Sequence, residues 1–134
     1  MKELMSHNIY EFQNQLIICG SCLPNMDNKA FEKLQQISNQ IYFVCLEKIH
    51  MNMVAHKLAS ILKIGKVKKL IFASVDKSPH CIQLHYMTNE LTKIMNLKNI
   101  KILNYVSNKG KLIEISSETI SLSKNLIQLT DSKK

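Results

Sequence analysis

Three short apolar runs rich in branched side chains punctuate the chain: Leu16 to Cys19, Ile41 to Cys45 and Leu70 to Val75. None shows the alternation of a half-exposed strand, so each reads as a strand buried on both faces, the signature of a parallel sheet covered by helices. The intervening segments carry helical spacing. Asn28 to Ser38 places Phe31, Leu34 and Ile37 on one stripe after Asp27 or Asn28 as N-cap. Met51 to Ile64 does the same with Met51, Val54, Ala55, Leu58, Ile61 and Leu62, and Gly65 is its stop. The order is βαβαβ.

Past the third strand, Ser78 is placed to cap and Pro79 suits the first helical position, opening a helix to about Met95 with Leu84, Met87, Leu91 and Ile94 inward. A fourth strand is expected at Ile100 to Val106. Asn108-Lys109-Gly110 then turns the chain into a short antiparallel strand, Lys111 to Ile115, and a last helix follows at Glu118 to Leu129 with Leu122, Leu126 and Leu129 inward. The N-terminal dozen residues read as a further helix packing Leu4, Met5 and Ile9. Right-handed crossovers make this an α/β protein, a three-layer α/β/α sandwich of Rossmann-like or flavodoxin-like type. Its sheet has four mostly parallel strands in the order 2-1-3-4 plus the short antiparallel edge strand.

With 134 residues and 46% hydrophobic content, residues 1–134 form one domain with a real core. No stretch approaches the roughly 18 to 20 apolar residues that span a bilayer, and Met1 to Phe12 is too mixed for a signal segment, so a cytoplasmic protein is expected and no membrane partner. The formal charge is +8, and all 18 basic residues are lysine. Sequence-specific readout of nucleic acid leans on the planar guanidinium, so an all-lysine balance disfavours a nucleic-acid partner. An acidic protein partner fits it better. A homo-oligomer is left open by the sequence.

The chemistry lies in four cysteines. Cys19 and Cys22 bracket a Cys-Gly-Ser-Cys at the end of the first strand, Cys45 ends the second, and Cys81 follows the third. In a 2-1-3-4 sheet these strand ends are neighbours about 4.8 Å apart, so their loops reach one small cofactor at the carboxyl edge, where open α/β sheets bind ligands. In a reducing cytosol four thiols point to ligation or redox chemistry rather than structural disulfides. Cys-x-x-Cys can chelate a metal or cycle through a disulfide. Cys45 alone would be a buried apolar residue, and only its place at the strand end makes it a candidate ligand. Cys81 sits in a helix's first turn, which favours a thiolate, yet it also precedes the inward stripe of Leu84. His80 and His85 flank it as candidate ligands, proton donors or outer-sphere partners. His50, Met51, Met53 and His56 have soft-metal composition, but their positions scatter around the helix and read as packing.

Four thiolates with no surplus suit an iron–sulfur cluster, [4Fe–4S] or [2Fe–2S]. Zinc is the alternative, although structural zinc ordinarily uses two Cys-x-x-Cys knuckles and only one is present. With the thiolates filling the cluster, His80 and His85 belong outside the coordination sphere, donating hydrogen bonds toward sulfur. A thioredoxin-like thiol–disulfide oxidoreductase using Cys19 as attacking and Cys22 as resolving thiol is a different class of reading. A metal-free interaction module with core cysteines is a third. No glycine-rich phosphate loop follows the first strand, which disfavours nucleotide binding, and Ser78, Asp76 and His80 lack a nucleophile elbow.

The pattern Cys19-Gly20-Ser21-Cys22, Cys45 after a strand, and Pro79-His80-Cys81 with His85-Tyr86 downstream resembles the small iron–sulfur domain of the methyl-viologen-reducing hydrogenase delta subunit. It is similar more loosely to the cluster-binding α/β half of nickel–iron hydrogenase small subunits. The stretch Ser78 to Tyr86 also resembles ferredoxin-like uncharacterised prokaryotic proteins. The resemblance covers about residues 15 to 95. It implies an electron-carrying cluster on Cys19, Cys22, Cys45 and Cys81 and a redox protein as partner. The chain departs from the delta-subunit pattern in lacking an extra cysteine beside Cys19, a Gly-Arg after Cys45 and a second cysteine in the third loop.

Overall fold

In the computed structural model five strands form one sheet in the order β2-β1-β3-β4-β5, where β1 is Asn14–Gly20, β2 Ile41–Val44, β3 Val67–Val75, β4 Lys101–Asn108 and β5 Lys111–Ile115. The pairs β1·β2, β1·β3 and β3·β4 are parallel and β4·β5 is antiparallel. The structure describes residues 2–38, 40–76, 78–97 and 99–123, without the side chains of Pro79, His80 and Ser123. The expected α/β architecture and strand order are those observed.

Alternation along the strands splits the core into two layers. Leu16, Ile18, Leu70 and Phe72 face one side, packing with Val54, Leu58 and Ile61 of α3 (Met51–Ile64) and with Leu84, Met87 and Leu91 of α4 (Pro79–Ile94). Ile17, Cys19, Ile71 and Ala73 face the other, with Leu23 of α1 (Leu23–Met26) and Ala30 and Leu34 of α2 (Asn28–Ile37). A further helix, α5, spans Ser117–Ser123 and is tied to α4 by Asn89 Nδ2, which donates to Ser117 O at 3.1 Å. No helix among the described residues is long and apolar enough to cross a membrane.

Local chemistry sets the boundaries. Asp27 caps α2, accepting from Ala30 N at 3.2 Å, and Gly65 ends α3 at φ +83°, the left-handed position that glycine takes without a Cβ penalty. Lys109 and Gly110 both have positive φ, as a two-residue hairpin turn of the favoured hand requires. Ser78 holds the extended N-cap conformation ahead of α4 but makes no side-chain capping bond.

Several expectations are corrected. The N-terminal segment is not one helix: it makes two single 3₁₀ turns, Leu4–Ser6 and Ile9–Glu11, because the Asn8 side chain accepts from Tyr10 N and starts a new turn. Lys2 O accepts from Phe43 N at 2.8 Å, so this segment covers the β2 edge, and Lys57 Nζ donates to the carbonyls of Met5 and His7. The four-residue α1 was not legible in the pattern. Ile37 and Ile94 are exposed, the latter at 78%, because each is the last residue of its helix, where the apolar stripe runs past the layer it covers. The expected inward Leu126 and Leu129 lie outside the described residues.

Candidate functional site

Because β2, β1 and β3 are neighbours in that order, the segments leaving their carboxyl ends meet at one edge of the sheet. Gly20 closes β1, and Ser21 N donates to Val44 O at 2.9 Å, holding the following Cys22 beside the end of β2. Cys22 precedes α1 and its carbonyl accepts from Met26 N at 3.0 Å. Cys45 is the first residue after β2, in a turn closed by Lys48 N and Ile49 N donating to its carbonyl at 3.0 Å each. Cys81, third residue of α4, comes in from the β3 side.

These three cysteines face one cavity of about 280 Å³, counted with its open mouth, whose walls are Gly20, Ser21, Val44, Leu46 and Leu84. The sulfurs of Cys22 and Cys81 are 3.5 Å apart. Gly20 eases that approach: a Cβ there would stand 3.1 Å from Cys81 Sγ, tighter than most side-chain carbons settle, so the sulfur would have to give by a few tenths of an ångström. Cys19 is placed differently. It is 0% exposed in the layer with Leu23 and Leu34, does not line the cavity, and its thiol donates to Gly20 O at 3.4 Å.

Burial pushes the Cys19 thiol far above the ordinary range, with Cys81 and Cys22 adding to the effect. Burial, followed by the hydrogen bond with Cys81, raises Cys22 to about 11. Cys22 is therefore a protonated thiol at neutral pH, and a metal ion would have to displace its proton. Among the described residues, no group of three or more His, Cys, Asp or Glu side chains is arranged so as to hold a metal ion as it stands.

The model of a family described as a Rossmann-like domain matches residues 11–134. The chain belongs to that Rossmann-like domain family. No curated protein and no solved structure matches it. In this Rossmann-like domain the first strand-to-helix turn, where dinucleotide-binding members of the fold carry a glycine-rich phosphate loop, holds Cys-Gly-Ser-Cys instead.

The histidines divide. His85 lies one turn after Cys81 on α4, 2% exposed, and both ring nitrogens are engaged: Nδ1 donates to Asn104 Oδ1 at 2.7 Å, and Nε2 accepts from the Ser74 hydroxyl at 2.6 Å. The expected hydrogen bond from His85 to a sulfur is thus not made; the ring instead ties α4 to β3 and β4. Burial lowers its pKa against the opposing pull of Asn104, so the ring is neutral at pH 7. His80 is the second residue of α4, and its side chain lies outside the described residues. His50 caps α3, its Nδ1 accepting from Asn52 N at 3.2 Å, while Met51, expected on the inward stripe, and Met53 and His56 are exposed rather than packed.

Sequence reasoning missed Ser74 and Asn104. Ser74 interrupts the apolar run Leu70 to Val75 and Asn104 the run Ile102 to Val106, and those interruptions were the signal available.

Proposed function

We propose that this chain holds an iron–sulfur cluster on cysteine thiolates at the carboxyl edge of its sheet and serves in electron transfer. The observation that carries the reading is the convergence of Cys22, Cys45 and Cys81, from three different strand ends, on one cavity. The resemblance of residues 15 to 95 to the hydrogenase delta subunit and to ferredoxin-like proteins supports the same cofactor. Cys19, Cys22, Cys45 and Cys81 are the candidate ligands.

The sulfur spacing bears on the kind of cluster. Tetrahedral coordination with metal–sulfur bonds of about 2.3 Å puts ligand sulfurs about 3.8 Å apart. Cys22 and Cys81 at 3.5 Å are close to that edge length, which suits two thiolates on one metal atom. A [2Fe–2S] cluster with four cysteines has two thiolates per iron and a [4Fe–4S] cluster one, so the spacing favours the two-iron form; it suits zinc equally. The all-lysine charge supports an acidic redox protein as partner, and the thiol count a reducing cytoplasm.

Anaerobic reconstitution with iron and sulfide tests the proposal. The expected product is a brown protein with visible charge-transfer absorption that bleaches reversibly on reduction. A colourless protein that takes zinc instead would make the site structural, and one that takes neither would remove the metal altogether.

A second reading, thiol–disulfide exchange, is favoured by the Cys22–Cys81 contact rather than by a Cys19–Cys22 pair. The two thiols would lose two protons and two electrons to a disulfide substrate, forming the Cys22–Cys81 bond and releasing two substrate thiols. Dithiol-dependent disulfide reduction by metal-free protein, abolished in Cys22→Ser and Cys81→Ser but kept in Cys19→Ala, would establish it.

A further inference from the structure

We infer that Cys22 and Cys81 form an oxidation site for hydrogen peroxide, in which Cys81 is oxidised first and Cys22 closes it to an intramolecular disulfide. The inference concerns the metal-free chain and does not rest on the iron–sulfur reading. It differs from the disulfide-exchange reading in naming a small peroxide as the oxidant.

The fold brings together two thiols 59 positions apart in sequence, with their sulfurs 3.5 Å from each other. A disulfide needs about 2.05 Å, so an approach of about 1.5 Å closes the pair. Both sulfurs have room for it. A Cβ on Gly20 would stand 3.1 Å from Cys81 Sγ, and its absence leaves that sulfur free to shift. Cys22 is half-buried in the turn ahead of the four-residue α1. Cys19 takes no part: it is fully buried in the layer with Leu23 and Leu34, and its thiol donates to Gly20 O.

The space selects the oxidant. Behind its mouth the cavity over these sulfurs encloses about 30 Å³, room for about one water, between Val44, Leu46 and Leu84. Hydrogen peroxide is little larger than water and enters. A disulfide substrate has to set its two sulfurs nearly in line with the attacking one, and each carries a carbon chain. An organic hydroperoxide brings its alkyl group. Neither reaches Cys81, which is 5% exposed.

The order of oxidation follows from position. Cys81 is the third residue of the 16-residue α4, whose start Ser78 leaves without a side-chain cap. The free N–H groups of that first turn and the positive end of the helix dipole favour negative charge on the attacking sulfur. Cys22, ahead of a single-turn helix, lacks that help. Cys81 Sγ attacks one peroxide oxygen: the S–O bond forms as the O–O bond breaks, and the hydroxide released leaves as water with the thiol proton. Cys22 Sγ then attacks the sulfenic acid on Cys81. The S–S bond forms, the S–O bond breaks, and the second hydroxide leaves as water with the Cys22 proton. One peroxide is reduced by two electrons as the two thiols are oxidised, and the disulfide ties the turn after β1 to the start of α4.

The test uses full-length, metal-free, reduced protein treated with hydrogen peroxide, cumene hydroperoxide or oxidised glutathione at equal concentration, then alkylated in urea and mapped by peptide mass spectrometry. Hydrogen peroxide should lower the free thiols from four to two per chain, the missing pair being a Cys22–Cys81 disulfide within one chain. The two bulkier oxidants should leave all four over the same period. In the Cys22→Ser protein, dimedone should trap the sulfenic acid on Cys81. Because no iron is present, none of these outcomes bears on the iron–sulfur reading. Should the variant not fold, the wild-type map and the comparison of oxidants still decide. Peroxide that leaves Cys22 and Cys81 reduced, or links other cysteines, would overturn the inference. Closure by oxidised glutathione as fast as by peroxide would overturn it too, in favour of disulfide exchange.

Discussion

Replacing His85 by Leu keeps a bulky side chain between α4 and the sheet while deleting both of its hydrogen bonds. Ser74, 1% exposed, and Asn104 then lose their ring partner inside the protein. A buried polar group without a partner costs about 1–3 kcal/mol, so the pair costs about 2–6 kcal/mol. The better burial of Leu offsets part of this, leaving a net loss of about 2–4 kcal/mol against a total domain stability of about 5–15 kcal/mol. Urea unfolding followed by far-ultraviolet circular dichroism measures it, with an unchanged slope showing that only stability has moved. The sharper check is Ser74→Ala in both backgrounds. With His85 present it removes a hydrogen bond and costs about 1 kcal/mol; with Leu at that position it removes a stranded hydroxyl and restores about 1–2 kcal/mol. Effects that add within about 0.5 kcal/mol would refute the coupled network. The pH profile gives an independent sign. Because burial lowers the folded pKa, acidification through about 6.5 protonates the unfolded chain first, and stability falls, by up to about 1.4 kcal/mol per pH unit, until the folded ring titrates. The His85→Leu protein should lack this component; an identical profile would contradict the assignment.

Gly20→Ala meets Cys81 Sγ at 3.1 Å, an overpacking cost of about 1–3 kcal/mol that the stiffer unfolded chain offsets by about 0.4–1 kcal/mol. Iron uptake should fall more than stability does, and wild-type uptake would show that Cys81 need not sit where it does. Cys22, raised to about 11, should alkylate with iodoacetamide slowly at pH 7 and faster toward pH 11, read by peptide mass spectrometry; labelling at pH 7 as fast as a free thiol would contradict its burial. Asp27 accepts from Ala30 N and, at 3.0 Å, from Gly110 N, joining α2 to the hairpin turn. Asp27→Ala should therefore cost at least the usual cap loss of about 1–2 kcal/mol by urea denaturation, and a variant as stable as wild type would remove that role.

Strand order was legible because the buried strands announce themselves as unbroken apolar runs, and the chirality of their crossovers leaves few topologies. The carboxyl-edge position of Cys22, Cys45 and Cys81 followed from the same facts. The distinction between Cys19 and Cys22 did not. The motif places them three positions apart, but one belongs to a strand whose register fixes its face, while the other precedes a four-residue helix too short to leave a periodic signal. The role of His85 was hidden for another reason. Its partners Ser74 and Asn104 come from β3 and β4, and contacts between strands are set by register, which composition does not reveal. The N-terminal turns were misread as a helix because apolar spacing there is satisfied by two separate turns as well as by a continuous one.

The central claim is that the thiols at the sheet's carboxyl edge hold iron. Anomalous diffraction at the iron absorption edge, from crystals of the anaerobically reconstituted protein, tests it most directly. The account predicts an anomalous peak in the cavity beside Gly20, about 2.3 Å from the sulfurs of both Cys22 and Cys81 and with Cys45 on the same cluster. Crystals of iron-loaded protein with that cavity empty, or with iron held elsewhere on the chain, would contradict it.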